Sequence, residues 1–299
     1  IAHYDVLLRS ERFASEHRPE LAVRVGDTPT SKPLRVWLAG VRQIVLDPHA
    51  TWDEPTRGAE AIVHADPGQA SEAAIGALLG REPERDPVWL REWCDADAKV
   101  APALATVSEP FEPSVWAAVA DAAPPRSVLW VASSMPIRDV EALLPRSGTP
   151  LTILSNRGAN GIDGTVSSAA GAALALGRRT FLLTGELALL HDIGGLLAAR
   201  RLGADLTIVC ANNGGGGIFD FLPVADAADR DAYEEHIATP ADVDLAAVAA
   251  AAGLPYVLAS TLDEVRAAVT EPALVEVRTD RAASVRLHRD LYERVAREL

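Results

Sequence analysis

Thr180-Phe181-Leu182-Leu183-Thr184-Gly185-Glu186-Leu187 is followed, a helix later, by Leu206-Thr207-Ile208-Val209-Cys210-Ala211-Asn212-Asn213-Gly214-Gly215-Gly216-Gly217, and the reading of this pair decides the fold. Both are short apolar runs closed by turn residues, the pattern of strands buried on both faces of a parallel sheet. The first ends in a tight glycine turn carrying an acid, the second in two amides and four glycines. In a β-α-β unit these ends lie side by side, where parallel sheets bind their ligands. A carboxylate, an amide oxygen and a backbone carbonyl at that place suit a hard cation holding a phosphate. The competing reading is a loop-rich sheet edge without chemistry.

Outward from this unit the alternation continues. Helix 114–122, strand 127–132, helix 136–144, strand 151–154 and helix 167–176 precede it, and helix 192–202 lies within it. Helix 240–251, strand 256–259, helix 262–269, strand 273–277 and a charged helical tail from Ala283 follow. Strands alternating with helices predict an α/β fold of doubly wound parallel sheets. Nearer the start, an amphipathic segment (5–14) leads to strands at 21–25, 34–38, 43–46 and 60–64, then helices at 71–79 and 87–96. The Ala/Pro-rich stretch 100–113 reads as a connection. The expected division is 1–109, part of an α/β domain plus linker, and 110–299, a complete one.

The 299 residues suffice for a sizeable core. No apolar run is long enough for a membrane span, and the first residues have neither the basic start nor the apolar middle of a signal peptide. Without an initiator Met, the chain is expected to begin inside a longer natural protein. Its two cysteines, Cys94 and Cys210, form neither a metal spacing nor a disulfide framework, which points to a reducing cytoplasm. The net charge of −14 disfavours nucleic acid and acidic membranes as partners. If the ligands are anions, individual cations must overcome that field locally.

Four loops at strand ends carry unusual residues. Ser133-Ser134-Met135-Pro136-Ile137-Arg138 reads either as a serine N-cap before a helix opened by Pro136, or as N–H groups free to hold phosphate. Ser155-Asn156-Arg157-Gly158-Ala159-Asn160-Gly161-Ile162-Asp163-Gly164 implies positive φ or close backbone approach at its glycines, with Arg157 offering a bidentate fork or a structural ion pair. Gly185-Glu186-Leu187 and Asn212 through Gly217 complete the set; Glu186, Asn213 and the carbonyl of Gly215 are the candidate metal ligands. The glycines fit the dinucleotide fingerprint only in a forced register. His191 has no ligand partner in sequence and reads as structural, and no nucleophile elbow is present.

The segments Ser155–Gly164, Gly185-Glu186-Leu187-Ala188-Leu189-Leu190-His191-Asp192 and Asn212-Asn213-Gly214-Gly215-Gly216-Gly217-Ile218-Phe219 together resemble the thiamine-diphosphate-dependent 2-succinyl-5-enolpyruvyl-6-hydroxy-3-cyclohexene-1-carboxylate synthases of menaquinone biosynthesis. The resemblance covers essentially the whole chain. It implies a diphosphate-binding domain preceded by the later part of the family's middle domain, including Ser31-Lys32-Pro33. The N-terminal pyrimidine-binding domain and the start of the middle one are expected to lie outside this stretch. The implied reaction is decarboxylation of 2-oxoglutarate and 1,4-addition of the resulting succinyl carbanion equivalent to isochorismate.

Carried over to this chain, the resemblance gives Mg²⁺ (or Mn²⁺) to Glu186, Asn213 and Gly215. It gives the thiamine diphosphate to Ser133, Ser134, Ile162, Gly185, Glu186, Leu187, Asn213, Gly215 and Ile218. Ser134, Arg138, Arg157 and Lys32 would act on the substrates, with Lys32, Arg138 and Arg157 binding them and Ile218, Phe219 and Leu222 forming an apolar wall. A pyrimidine domain, normally a neighbouring subunit's, is expected to supply a glutamate that activates the cofactor. The full protein is then a cytoplasmic homo-oligomer, and this chain alone inactive. Two departures stand out: Glu186 where the family usually has Asp, which predicts weaker metal binding, and Gly214 where a polar residue is usual. Two rival readings are another thiamine-diphosphate decarboxylase and a non-catalytic scaffold of the same fold. The arginines and Lys32 argue against both, since dicarboxylate substrates need cationic anchors.

Overall fold

The computed structural model describes residues 1–51, 56–80, 87–156 and 161–299. They form two compact units: Ile1, residues 3–100 and residues 295–299 make one, Ala2 and residues 101–294 the other. In the first, α1 (Tyr4–Leu7) and α2 (Glu11–Glu16) lead into β1 (Leu21–Val25), α3 (Lys32–Leu38), β2 (Arg42–Leu46), β3 (Ala61–Val63), α4 (Pro67–Leu78) and α5 (Pro87–Ala105). The three strands are parallel, in the order β1-β2-β3.

Two expectations for this part, the strand at 34–38 and the connection from 100, are corrected, and a third, the amphipathic segment 5–14, is refined. Residues 34–38, read as a strand, are helical in α3, because the Ser31 hydroxyl accepts from the Leu34 N–H and Pro33 presets the first turn. Five apolar residues are too few to separate a period of 2 from one of 3.6. The segment 5–14 is two helices, since Ser10 caps the second. The stretch from 100, read as a connection, is helical to Ala105: α5 continues through Pro102, and the division between the units falls inside it, after Val100. Pro102 had masked the helical pattern.

The second unit contains α6 (Glu112–Ala122), β4 (Val128–Val131), α7 (Met135–Leu143), β5 (Thr152–Ser155), α8 (Thr165–Leu176), β6 (Thr180–Gly185), α9 (Glu186–Leu190), α10 (Ile193–Leu202) and β7 (Leu206–Asn212). A 3₁₀ turn (Gly217–Phe221), α11 (Val224–Ala227), α12 (Arg230–Tyr233) and a π turn (Glu234–Ala238) follow; α13 (Leu245–Ala251), β8 (Tyr256–Ala259), α14 (Leu262–Ala268), β9 (Leu274–Arg278) and α15 (Arg281–Glu298) close the chain. The helix expected from 240 begins only at Leu245, where the Asp244 carboxylate caps it.

The six strands are parallel in the order β5-β4-β6-β7-β9-β8. Alternation along β6 builds both faces of the sheet. Phe181 and Leu183 join Val115, Trp116 and Val275 in one core, while Leu182 joins Val166, Leu196 and Ile208 in the other. Phe181, Leu182 and Leu183 are fully buried, each contributing about 1.5–3 kcal/mol by removal from water. From β4 the chain runs outward to β5 and returns to the opposite side as β6. The strand order therefore reverses between β4 and β6, and the crevice at their carboxyl ends is the place where such sheets bind ligands.

Candidate active site at the strand ends

The carboxyl ends of β4, β6 and β7 place Ser133-Ser134, Gly185-Glu186 and Asn212-Asn213 along one crevice; Gly185 is in register with Ala211. Glu186, the first residue of α9, is only 2% exposed. Its Oε1 accepts from the Gly215 N–H at 2.6 Å and its Oε2 from the Asn213 N–H at 3.4 Å. Burial pushes its carboxyl above the ordinary range, opposed by these N–H groups and by the charge of Arg281. The extra methylene of Glu relative to Asp lets the carboxylate bridge from β6 to the glycine loop.

At Gly215 and Gly217 that loop leaves no room for a Cβ. Gly215 has φ +144°, and a Cβ there would lie 2.8 Å from the Ala238 carbonyl oxygen. A Cβ at Gly217 would meet the Asn213 amide nitrogen at 2.6 Å. The Asn213 Oδ1 is buried and has no hydrogen-bond partner among the described residues. The oxygen groups of this loop are the two Glu186 carboxylate oxygens, the orphaned Asn213 Oδ1 and the Gly215 carbonyl, which accepts from the Gly217 N–H at 2.9 Å; oxygen donors of this kind suit a hard divalent cation. Among the described residues no cluster of three or more His, Cys, Asp or Glu could hold a metal, so any ion here must draw on the amide and backbone oxygens.

The end of β4 departs from expectation. Ser134 precedes α7 with φ 75° and ψ −133°, and its side chain makes no cap bond, so the N-cap reading is not met. A non-glycine residue in this region costs about 1–3 kcal/mol and persists where the surroundings impose it, commonly at binding sites. The Ser134 carbonyl accepts from Arg138 Nη1 at 2.6 Å, which folds an exposed guanidinium back over the turn. Ser133 is buried, and its hydroxyl donates to the Asn156 carbonyl at 3.1 Å, tying the loops after β4 and β5 together.

Of the other expected residues, Ile162 and Leu187 are half-buried, Ile162 lying in the loop that enters α8. Ile218 and Phe219 lie in the 3₁₀ turn and Leu222 caps it, with Phe219 and Leu222 exposed. Arg157, Gly158 and Asn160 lie outside the described residues. Lys32 is exposed in the first unit, at the first position of α3.

Several buried polar groups escaped the sequence reading. Arg281 packs beside the glycine loop; its Nη2 donates to Glu234 at 2.7 Å, while its buried Nη1 has no partner among the described residues. Glu276, 1% exposed, accepts from Asn212 Nδ2 (2.9 Å), the Tyr256 hydroxyl (2.7 Å) and Arg278 Nε (3.0 Å). Burial acts to raise the Glu276 pKa, but the three donors outweigh it and hold the carboxyl below its ordinary value. An acid with a depressed folded-state pKa stabilises the fold above its unfolded-state value, and that contribution is lost as pH falls through the folded-state value. Glu276→Gln is therefore expected to cost about 1–3 kcal/mol at pH 7, shrinking toward zero below roughly pH 4. Urea melts of both proteins across this range check it; a cost independent of pH contradicts it.

Residues 140–283 match the family described as thiamine pyrophosphate enzyme, C-terminal TPP binding domain. The chain is 42% identical to the 2-succinyl-5-enolpyruvyl-6-hydroxy-3-cyclohexene-1-carboxylate synthase of Myxococcus xanthus, over 100% of its own length and 52% of the relative's. It is 40% identical to the enzyme of that name from Chloroflexus aurantiacus and 35% to that from Bacillus velezensis, in each case over 99% of this chain and 52% of the relative. Over its whole length the chain is thus similar to synthases of this name. It spans about half the length of the curated relatives it matches. The family match runs from within α7 to the start of α15 and so contains the Gly185–Gly217 unit whole. The doubly wound parallel sheet is accordingly that of the C-terminal binding domain of thiamine pyrophosphate enzymes. No helix among the described residues is long and apolar enough to cross a membrane.

Proposed function

We propose that the full protein carrying this chain is a thiamine-diphosphate- and Mg²⁺-dependent transferase of menaquinone biosynthesis. It decarboxylates 2-oxoglutarate and adds the resulting four-carbon unit in 1,4 fashion to isochorismate. The observation that carries this reading is the buried Glu186 carboxylate accepting from the backbone N–H groups of Asn213 and Gly215 at the ends of β6 and β7, beside the β4/β6 point where the strand order reverses. Glu186, Asn213 and the Gly215 carbonyl would hold the metal, with Mn²⁺ as an alternative ion. Ser133, Ser134, Ile162, Gly185, Leu187 and Ile218 would border the cofactor. When bound, thiamine diphosphate supplies the electron sink that makes loss of CO₂ feasible.

The chain's own residues bind and orient. Both substrates are dicarboxylates, and in a protein of net charge −14 they need local cations. Arg138, whose Nη1 donates to the carbonyl of the strained Ser134, would fork onto a carboxylate. Arg157 and Lys32 are the further cations in this reading. The exposed Phe219 and Leu222, with Ile218, would exclude water from the carbon framework of the second substrate. A pyrimidine-binding domain elsewhere in the full protein, supplied by a neighbouring subunit of a cytoplasmic homo-oligomer, would complete the cofactor site.

The deciding experiment compares the full protein and the isolated 299-residue chain with 2-oxoglutarate, isochorismate, thiamine diphosphate and Mg²⁺. Turnover by the full protein and none by the isolated chain is expected. Pyruvate used as readily as 2-oxoglutarate, or turnover by the isolated chain, contradicts the reading.

A further inference from the structure

α15 presents Arg281, Ser284 and His288 at positions i, i+3 and i+7, on one side of the helix. His288 is fully buried, and both ring nitrogens have partners. Nδ1 lies 2.8 Å from the Ser284 carbonyl and Nε2 3.1 Å from Asp139 Oδ1. A carbonyl oxygen only accepts, so Nδ1 must carry a proton. The bond to Asp139 then runs either from a doubly protonated ring to a carboxylate or from a protonated Asp139 to the ring. Asp139, 3% exposed, also accepts from Trp116 Nε1 at 3.3 Å through its other oxygen. The imidazole meets the Phe221 ring edge-on, with centroids 5.2 Å apart.

These contacts join two particular places. Asp139 is the residue after Arg138 in α7, and Phe221 closes the 3₁₀ turn that carries Ile218 and Phe219. A cavity of about 30 Å³, lined by Asp139, Phe221 and Ser284 together with Gly185 and Asn213, sets this network directly beneath the strand ends. Buried ionic groups seldom add more stability than apolar packing of the same volume, so a role in geometry is the better account of them. We infer that His288 is a positioning residue: through Asp139 and Phe221 it holds the Arg138 side and the Phe219 side of the crevice in one register. The inference rests on the proposed reading of Arg138 and Phe219 as substrate-facing groups.

The test uses the full protein with two substitutions. His288→Gln can place a donor where Nε2 stood and keep the bond to Asp139; His288→Asn is too short to do so. His288→Asn is expected to raise KM for 2-oxoglutarate about tenfold, as for the loss of one charge-assisted hydrogen bond. Its kcat should change by less than about threefold, and His288→Gln should recover most of the KM. Combined with Arg138→Lys, His288→Asn should cost less than the product of the separate effects, because both act on the same guanidinium. In the cofactor-free protein, hydrogen–deuterium exchange should quicken in both 135–143 and 217–221 for His288→Asn and stay near wild type for His288→Gln. Equal losses of melting temperature in both variants with KM unmoved, or faster exchange confined to α15, overturn the inference while leaving the functional reading intact. Absence of turnover in the wild-type full protein overturns that reading, and this inference with it.

Discussion

Glu186→Gln is expected to lower Mg²⁺ affinity, and with it metal-dependent thiamine diphosphate affinity, by about 100-fold or more while making the metal-free protein more stable. The two effects have one cause. The carboxylate is 2% exposed, and its bonds to Gly215 and Asn213 compensate only part of the cost of burying the charge. Its pKa is therefore raised, chiefly by burial. An acid with a raised folded-state pKa opposes folding once pH exceeds the unfolded-state value, about 4.3. Removing the charge relieves that penalty at pH 7 and changes little at pH 4.

A gain of about 2–5 °C in melting temperature, measured with chelator present, is the expected size. The affinity loss follows because the substituted ligand would be in direct contact with the metal, where removal of even an outer partner costs about 10–100-fold. Isothermal titration with Mg²⁺ and thiamine diphosphate, beside melts at pH 7 and pH 4, reads both. A variant that melts lower at pH 7 in chelator, or binds Mg²⁺ as wild type does, contradicts the account. Glu186→Asp is the companion case: retracting the carboxylate from the Gly215 N–H should tighten Mg²⁺ by about fivefold, and unchanged affinity would remove the argument built on side-chain length.

Gly215→Ala is expected to damage the site nearly as much. At φ +144° an L-residue is strained whatever its size, and here the added methyl would also press to 2.8 Å against a backbone oxygen that cannot rotate away. The Ala238 carbonyl is itself fixed by the Gly216 N–H at 2.7 Å. Relief requires the loop to move, which carries the Gly215 carbonyl and the Asn213 amide with it. A loss of about 2–4 kcal/mol in stability and a drop of about 100-fold in Mg²⁺ affinity are anticipated. Gly214→Ala is the control. Gly214 also has positive φ, but a methyl there meets nothing within 4 Å. It should cost only about 1 kcal/mol and leave the metal site working. Equal effects at 214 and 215 would show that strain, rather than the contact with Ala238, is what matters.

The central strands β4, β6 and β7 of the second unit were legible because each is buried on both faces and is spelled as a largely apolar run. Residues 256–259 are a strand as read, and the runs at 180 and 206 extend only slightly beyond their reading, into Gly185 and Asn212. The first unit was less legible because its elements are short. Over 34–38 the cap at Ser31 and the proline at 33 decide for helix, although the same two residues also suit a turn.

At the site, the residues adjoining strand ends could be found from the chain alone, since glycines, amides and an acid at those positions have few other uses. His288, Asp139, Arg281 and Glu276 could not, because a buried polar residue and a solvated one look the same in sequence. Local sequence carries the doubly wound α/β class, the resemblance to the synthase family and the identity of the groups at the ends of β4, β6 and β7. These depend on local period and on turn chemistry, which are properties of neighbouring residues. Only the tertiary structure decided that Glu186 spends its length reaching Gly215, that Ser134 is strained rather than capping, and that α15 ties the two sides of the crevice together. Those outcomes depend on burial and on partners far away in the chain, and no local pattern encodes either.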